Sequence, residues 1–389
     1  MDCDVAIVGG GPAGCLTAAN LPRSLRTLIF EEHERTGVPT QCAGLVTERV
    51  VRSVGAEGTM LNRIDGACIH FPDGRVLRLK ADVTKAVVVD RRLFDERCRD
   101  LAVKAGAEYL HNHHFTGLER GTNGIAVKVG HGHLELTCRS RLVVGADGFR
   151  SDVGRACGLP GPKELLRGIQ VDLEGEWEEA SSVGVHLGHR TAPGFFAWTI
   201  PCGDFVRVGL CVPDGGENPN HYLQPFLSKM KLDTRKRRAI YSGAVPLGPP
   251  GRFVEDRVLL VGDAAGQVKP LSGGGLFTGL EGARLAAKTI SSAFANTELD
   301  LRSLRRYERE WRSGLGREIE RGYRVRKAFL KLDDDDLSEV GRLLDKEEVR
   351  AILSTGDIDH PTELAPSVLR RAPGLLRFSP QVLSSLLLG

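Results

Sequence analysis

Glycines 9, 11 and 14 in Gly9-Gly10-Gly11-Pro12-Ala13-Gly14 have the spacing G-x-G-x-x-G. They follow the apolar run Val5-Ala6-Ile7-Val8 and open a segment of helical pattern at Pro12. Glycines at such a point permit a tight turn and bring the main chain close to a pyrophosphate, whose charge is favoured at a helix N-terminus. Alone the spacing is a weak signal. Here a second apolar run, Thr27 to Phe30, ends in Glu31-Glu32, where an acid can accept hydrogen bonds from ribose hydroxyls. The chemistry indicated is dinucleotide binding through Gly9, Gly11, Ala13, Gly14 and Glu31. Glu32, near the adenosine, is the weaker candidate, and a solvated strand end is the competing reading of Glu31.

These residues need a short β–α–β unit to position them, and the apolar pattern from Val5 to Phe30 supplies one. A loop and a helix follow over about 38–55, and Gly66 to Leu79 reads as a hairpin around Pro72-Asp73-Gly74. A helix from Arg91 to Ala105 precedes alternating strands around Thr116 to Leu136. A short buried strand, Arg141 to Val144, then ends in Gly145-Ala146-Asp147-Gly148. From Gly168 to Val212 strands succeed one another without helices, which predicts an antiparallel sheet. Val258 to Val261 returns to the buried parallel type and leads into a helix from Gly274 to Phe294. The expected fold is α/β with an α+β insertion. A Rossmann-type domain would be discontinuous over 1–65, 84–160 and 252–300. An antiparallel-sheet substrate domain would take 66–83 and 161–251, and a C-terminal helical region 301–389.

Composition bounds the rest. The chain has 389 residues, a charged quarter and a net charge of +3, which is too small to suggest nucleic acid as a partner. Its nine cysteines form no C-x-x-C pair, so a zinc ribbon and a simple iron–sulfur cradle are both disfavoured. No signal peptide is visible, and no apolar stretch approaches the ~20 residues of a membrane span. The expectation is a cytoplasmic protein whose contact with the inner face of the membrane, if any, is peripheral. His111, His113 and His114 lack an acid at ligand spacing and read as a solvated loop, so no metal is expected. The arginines between Arg302 and Lys327 outnumber the acids there. A solvated helix face is the favoured reading over contact with anionic lipid headgroups.

Three further segments carry a resemblance. Ala146-Asp147-Gly148, followed by Ser151 and Arg155, resembles the second nucleotide fingerprint of the para-hydroxybenzoate-hydroxylase-like flavoproteins. Arg91 in Val89-Asp90-Arg91-Arg92-Leu93-Phe94-Asp95 matches an arginine they keep near the cofactor, and Val261-Gly262-Asp263-Ala264-Ala265 resembles their third fingerprint. The resemblance implies FAD, with Asp147 and Arg91 at the cofactor and Asp263 accepting from a ribityl hydroxyl. It also implies that the helix opening at Gly274 and Gly275 points at the flavin.

Within that group, Pro39-Thr40-Gln41-Cys42-Ala43-Gly44, Lys269 to Gly275 and Phe196-Ala197-Trp198-Thr199-Ile200-Pro201 resemble the geranylgeranyl reductase family. Its archaeal branch, the digeranylgeranylglycerophospholipid reductases, is the nearest. The match runs to about residue 330. These enzymes saturate isoprenoid chains of membrane ether lipids, which implies an isoprenoid lipid substrate. Cys42, Ala43 and Gly44 would lie near the flavin ring, and Phe196, Trp198 and Pro201 would line the substrate site. Family members usually carry tyrosine where this chain has Phe196, which leaves chain-length preference open.

An isolated alkene has no carbonyl to polarise it, so hydride from reduced flavin N5 needs proton delivery, here assigned to Cys42. Aromatic faces of Phe196 and Trp198 would stabilise the developing tertiary cation, with ordinary core packing as the even alternative. Cys3, Cys15, Cys68, Cys98, Cys138, Cys157, Cys202 and Cys211 read as small buried residues. No second dinucleotide motif is present, so the electron donor is NAD(P)H bound transiently or a ferredoxin-like protein. The main alternative is an FAD-dependent monooxygenase or halogenase of a small aromatic substrate. A non-catalytic electron carrier is the third reading.

Overall fold

The structure, a computed structural model, describes residues 2–378 and 380. β1 (Asp2–Val8), α1 (Pro12–Ala19) and β2 (Thr27–Phe30) form the first β–α–β unit, with Val5 opposite Thr27 in a parallel pair. Both strands are buried on two faces, which explains their unbroken apolar runs. The next loop leads to α2 (Glu48–Val54), which ends at Gly55 in the left-handed conformation. Leu45–Val46, Met60–Ile64 and Ala86–Val89 make a small separate sheet. α3 (Arg91–Ala105) is capped by Asp90, whose carboxylate accepts from the Leu93 amide.

β3 (Leu134–Gly145) is longer than the expected Arg141–Val144. Its first half pairs antiparallel with Ile125–His131, and its second half runs parallel to β1. The outer half is polar on alternate residues, so the sequence pattern put Leu134–Leu136 with the preceding alternating strands and divided one strand into two.

β4 (Glu164–Glu174), β5 (Ala197–Pro201), β6 (Phe205–Pro213) and β7 (Arg237–Leu247) lie in the order β7–β4–β6–β5. Ser182–His186, Gly66–His70 and Val76–Lys80 extend this sheet on the β5 side. It is antiparallel as expected except at Ser182–His186, which runs parallel to Gly66–His70. Those two strands are far apart in the chain, so no tight turn dictates their direction. The helix Pro219–Lys229 covers one face, where Leu223, Phe226 and Leu227 pack with Val206, Val208 and Leu210.

The chain returns to the first sheet with β8 (Val258–Leu260), parallel to β3, and then α4 (Leu276–Ala295), which packs on α1. α5 (Leu301–Ser313) buries Leu304, Tyr307 and Trp311. α6 (Leu315–Phe329) is tied to β4 by the ion pair of buried Arg326 with half-buried Glu164. The acidic run Asp333–Asp336 is a helix start, with Asp333 and Asp336 forming a capping box. The leucine-rich end at 381–389 lies outside the described residues. Among the described residues no helix is long and apolar enough to cross a membrane.

His186, 5% exposed, stacks on His70 at 4.2 Å and meets the edge of Phe226. Burial pushes its pKa down to about 3, and the same cause lowers His70. The unfolded chain therefore binds a proton near pH ~6.5 that folded His186 refuses. The stability this contributes is complete above that pH and is lost as pH falls towards 3. Urea unfolding between about pH 7 and about pH 5 should show stability dropping by up to ~1.4 kcal/mol per pH unit for His186 alone. His186→Leu should flatten that slope by one proton, and an unchanged slope would refute the assignment.

Candidate functional site

The turns that follow β1, β3 and β8 interlock through bare backbone. Gly9 has φ +100°, and a Cβ there would lie 2.3 Å from the Ala146 carbonyl oxygen. A Cβ at Gly262 would lie 2.8 Å from the Ala13 Cβ, and one at Gly14 would lie 2.2 Å from the Gly9 carbonyl oxygen. The Ala146 amide donates to Val8 at 2.7 Å, and the Val261 amide donates to Gly145 at 2.9 Å. Gly11, by contrast, opens onto space, with no atom within 4 Å of a Cβ placed there. A pyrophosphate could approach the α1 N-terminus along that side without meeting a side chain.

Glu31 is buried at the end of β2. It accepts from the Gly10 amide at 2.8 Å and from the His33 amide at 3.0 Å, so it holds the glycine turn itself. Glu32 is exposed, and its carboxylate lies 3.8 Å from the His33 ring. Tyr109, which the sequence did not single out, donates its hydroxyl to the Gly10 carbonyl at 3.0 Å. Asp147 accepts from the Ser151 hydroxyl and the Val153 amide, both at 2.9 Å, and so supports the N-terminus of the helix Asp152–Ala156, which Ser151 caps. Burial raises its pKa, and these hydrogen bonds oppose the rise.

Around the second half of the site, Asp263 stands on the one-turn helix Gly262–Ala265. The turn is fixed by Gln267, which accepts from the Gly262 amide at 2.8 Å and donates to Tyr307 at 2.7 Å. No hydrogen bond reaches the Asp263 carboxylate among the described residues. Burial raises its pKa, while Arg91 pulls it down. One Asp263 oxygen lies 2.9 Å from the place of a Cβ on Gly275, the residue at the α4 N-terminus. Gly274 sits close to Lys269 in the same loop. An FAD fits this donor set: open backbone for the pyrophosphate, an acceptor without a donor for ribityl hydroxyls, and helix N–H groups for an electron-rich ring edge.

Arg91 acts on both the Asp263 carboxylate and the Cys42 sulfur. It pairs with Asp95 at 3.0 Å. Burial disfavours its charge, but Asp95 and the Cys42 sulfur outweigh that and raise its pKa. The Cys42 loop is held from two sides. Gly44, at φ +73°, is pressed against Val89, where a Cβ would lie 2.5 Å from the carbonyl oxygen. From the second sheet, Gln170 donates to the Cys42 carbonyl at 3.1 Å and Arg207 to the Ala43 carbonyl at 2.9 Å. Arg207 is itself held by both Asp172 oxygens at 2.8 Å, in a pair only 6–7% exposed. The Gly44 amide donates to the Cys42 sulfur at 3.3 Å.

Phe196, Trp198 and Ile200 alternate with the helix-facing residues of β5 and so point to the loop side. Phe195 stacks on Phe196 at 4.2 Å, and Phe196 meets Trp198 edge-on at 6.2 Å. Trp198 packs with Ala43 and Ile200 on one side and with Val268 on the other. Its indole nitrogen is buried without a partner among the described residues. Pro201 shares its parity with Ala197 and faces the other way, so the structure does not bring it to this wall. A second strap comes from the C-terminal region. Asp359 accepts from Thr47 at 2.6 Å and from Lys269 at 2.8 Å, joining the loops that carry Cys42 and Gly274. Sequence reading missed Arg207, Gln170 and Asp359. For Arg207 the available signal was a single arginine inside the otherwise apolar strand Phe205–Pro213.

Among the described residues no cluster of His, Cys, Asp and Glu could hold a metal ion. His111 is half-buried against Thr36 and His113 stacks on His131, so only His114 fits the solvated reading. Of the other cysteines, Cys157 is half-buried rather than buried.

The sequence profile of the FAD binding domain matches residues 2–237. An uncharacterized protein of Methanocaldococcus jannaschii is 35% identical, over 95% of each chain. Digeranylgeranylglycerophospholipid reductase 2 of Methanothermobacter thermautotrophicus is 31% identical, over 90% of this chain and 94% of its own. The crystal structure of a geranylgeranyl bacteriochlorophyll reductase-like protein from Thermoplasma acidophilum superposes with a TM-score of 0.89 at 22% identity. It covers 98% of this chain and 99% of its own, a likeness of fold.

Two outcomes follow from this geometry. Glu31→Ala should leave a folded chain whose FAD dissociation constant rises ~10-fold or more in fluorescence titration, because an ionised acceptor is lost. An unchanged constant would place the adenosine contact elsewhere. Arg207→Met should lower stability to urea by about 3 kcal/mol, since Asp172 is left buried and unpaired, and Arg207→Met with Asp172→Leu should recover most of it. A double variant no more stable than the single would contradict that origin.

Proposed function

Since the chain belongs to the geranylgeranyl reductase family of FAD-binding flavoproteins, and is an FAD-dependent oxidoreductase, we propose that it saturates isolated C=C bonds of geranylgeranyl chains in membrane ether-lipid precursors. The observation that carries this reading is the meeting of three unlike surfaces: the Cys42–Gly44 loop, the Asp263 carboxylate beside the α4 N-terminus, and the wall of Phe196 and Trp198. The relatives named as digeranylgeranylglycerophospholipid reductases support the substrate class.

Bound FAD, once reduced, supplies hydride. The chain's own residues hold the cofactor and manage the proton. Gly11 leaves room for the pyrophosphate, Gly9 and Gly14 let the surrounding backbone close up beside it, and Asp263 is the acceptor for ribityl hydroxyls. Phe196 and Trp198 offer aromatic faces to an alkene and to the positive charge that protonation builds on its tertiary carbon. In this reading Cys42 Sγ gives the proton. Gly44 orients the sulfur, while Gln170 and Arg207 hold the carbonyls of the same loop away from it. Residues 66–83 and 161–251 then act as the substrate domain. The cofactor domain is formed by 1–65, 84–160 and 252–300. NAD(P)H or a ferredoxin-like protein would renew the reduced state, and contact with the membrane would be peripheral.

Cys42→Ser keeps size and a hydroxyl, but an alcohol is a much weaker acid than a thiol. The variant should retain FAD and accept electrons from a chemical reductant. Its anaerobic reoxidation by a geranylgeranyl lipid should slow ~100-fold or more in single-turnover absorbance traces. Reoxidation at the parent rate would remove Cys42 as the acid, and loss of FAD would make the loop's role structural.

A further inference from the structure

On the outer flank of α5 and α6 a cavity of about 330 Å³ is lined by Pro249, Arg312, Gly316, Arg317, Glu320, Arg321 and Arg324. Arg317, Arg321 and Arg324 recur at i, i+4 and i+7, which sets them on one face of α6. Arg312 reaches in from α5. Its charge is met by Glu308, and it also donates to the Pro250 and Gly251 carbonyls at 2.8 and 2.9 Å. That fixes the wall of the cavity at Pro249. Glu320 is the one acid of the lining and is shared with Lys163 at 3.5 Å. Arg317 and Arg324 have no ion-pair partner or side-chain hydrogen bond among the described residues. Four guanidinium groups thus surround a space with one partly committed carboxylate, and two of them are left without a counter-charge.

This arrangement differs from an ordinary solvated helix face. On α5, Arg306 is paired with Glu310 at 2.6 Å along its own helix, and Arg302, Arg305 and Arg309 are exposed singly on its surface. Those at the cavity instead converge from two helices on a concave space. Planar guanidinium forks suit the tetrahedral oxygens of a phosphate, which several can grip at once. The cavity also backs onto the site already described. A Cβ on Gly266, the residue that ends the Asp263 turn, would lie 2.9 Å from Pro249 Cα, and one on Gly322 of α6 would lie 3.4 Å from Pro270.

We propose that this cavity binds a phosphate-bearing anion, supplied by a membrane lipid headgroup or as free phosphate. The inference stands on the arginine geometry and does not require the reductase reading. The test uses the full chain loaded with FAD and two probes: phosphatidylcholine vesicles with or without phosphatidylglycerol, and inorganic phosphate in a calorimeter. The double variant Arg317→Gln/Arg324→Gln removes the two uncompensated charges. The double variant Arg302→Gln/Arg305→Gln removes equal charge from the exposed start of α5 and serves as its control. The cavity variant should lose ~30-fold in affinity for the phosphate-bearing probe that binds, taking about 1 kcal/mol for each arginine. The control should change less than about threefold, and FAD content should stay constant in both. Binding to phosphatidylglycerol vesicles alone identifies a lipid headgroup as the source, and binding of inorganic phosphate alone identifies a soluble one. Equal losses in the two variants would mean diffuse charge rather than a site and would overturn the proposal. So would the absence of binding to either probe.

Discussion

The main chain at Gly9 runs so close to Ala146 that a β-carbon at residue 9 would stand 2.3 Å from a carbonyl oxygen. That approach is possible only because β1 and β3 pair in parallel and end level, with Val8 opposite Gly145. β8 ends beside them, Leu260 opposite Gly145, and brings the Gly262 turn against Ala13. Three segments distant in sequence are thereby forced to leave the sheet at one edge. Ligands of open α/β sheets bind at the carboxyl ends of strands for this reason: the loops are there, and the helix N-termini point there. Cofactor binding depends on a contact that tolerates no side chain.

The second sheet contributes through polar groups that cross to the first. Gln170 and Arg207 both end on carbonyls of the Cys42 loop, while Asp172 neutralises the arginine. A charge inside a sheet is costly unless paired, and here the pair doubles as a support for the loop. The C-terminal region acts similarly. Asp359 binds Thr47 beyond Cys42 and Lys269 before Gly274, so the loops on either side of the site share one buried acid. Tyr307 of α5 steadies Gln267 and through it the Asp263 turn. The site is consequently held by three parts of the chain.

Much of this was legible in the sequence because it is local. β2 and α3 appear over the expected residues, since a buried strand and a capped amphipathic helix are written in adjacent side chains. The three glycine- and acid-bearing turns were also found, since each follows an apolar run. Partners were harder to read. Nothing local links Asp172 to Arg207, or Asp359 to Lys269, because those pairs are made by the sheet register and by the path of the C-terminal segment. Trp198 and Pro201 stand in one motif, yet strand alternation sends them to opposite faces. Glu31 illustrates a different limit: the sequence identified the acid, and the structure adds that the Gly10 amide occupies one of its oxygens.

Hydride transfer to an unactivated double bond is the central claim, and the identity of the product tests it most directly. The FAD-loaded protein, reduced chemically under anaerobic conditions, would be mixed with an ether lipid bearing geranylgeranyl chains, and the lipid then analysed by mass spectrometry. The predicted result is a mass increase in whole hydrogen pairs, located at isoprenoid double bonds and matched by loss of reduced flavin. An unaltered lipid, together with oxygen-dependent hydroxylation or halogenation of a small aromatic compound by the same preparation, would contradict it.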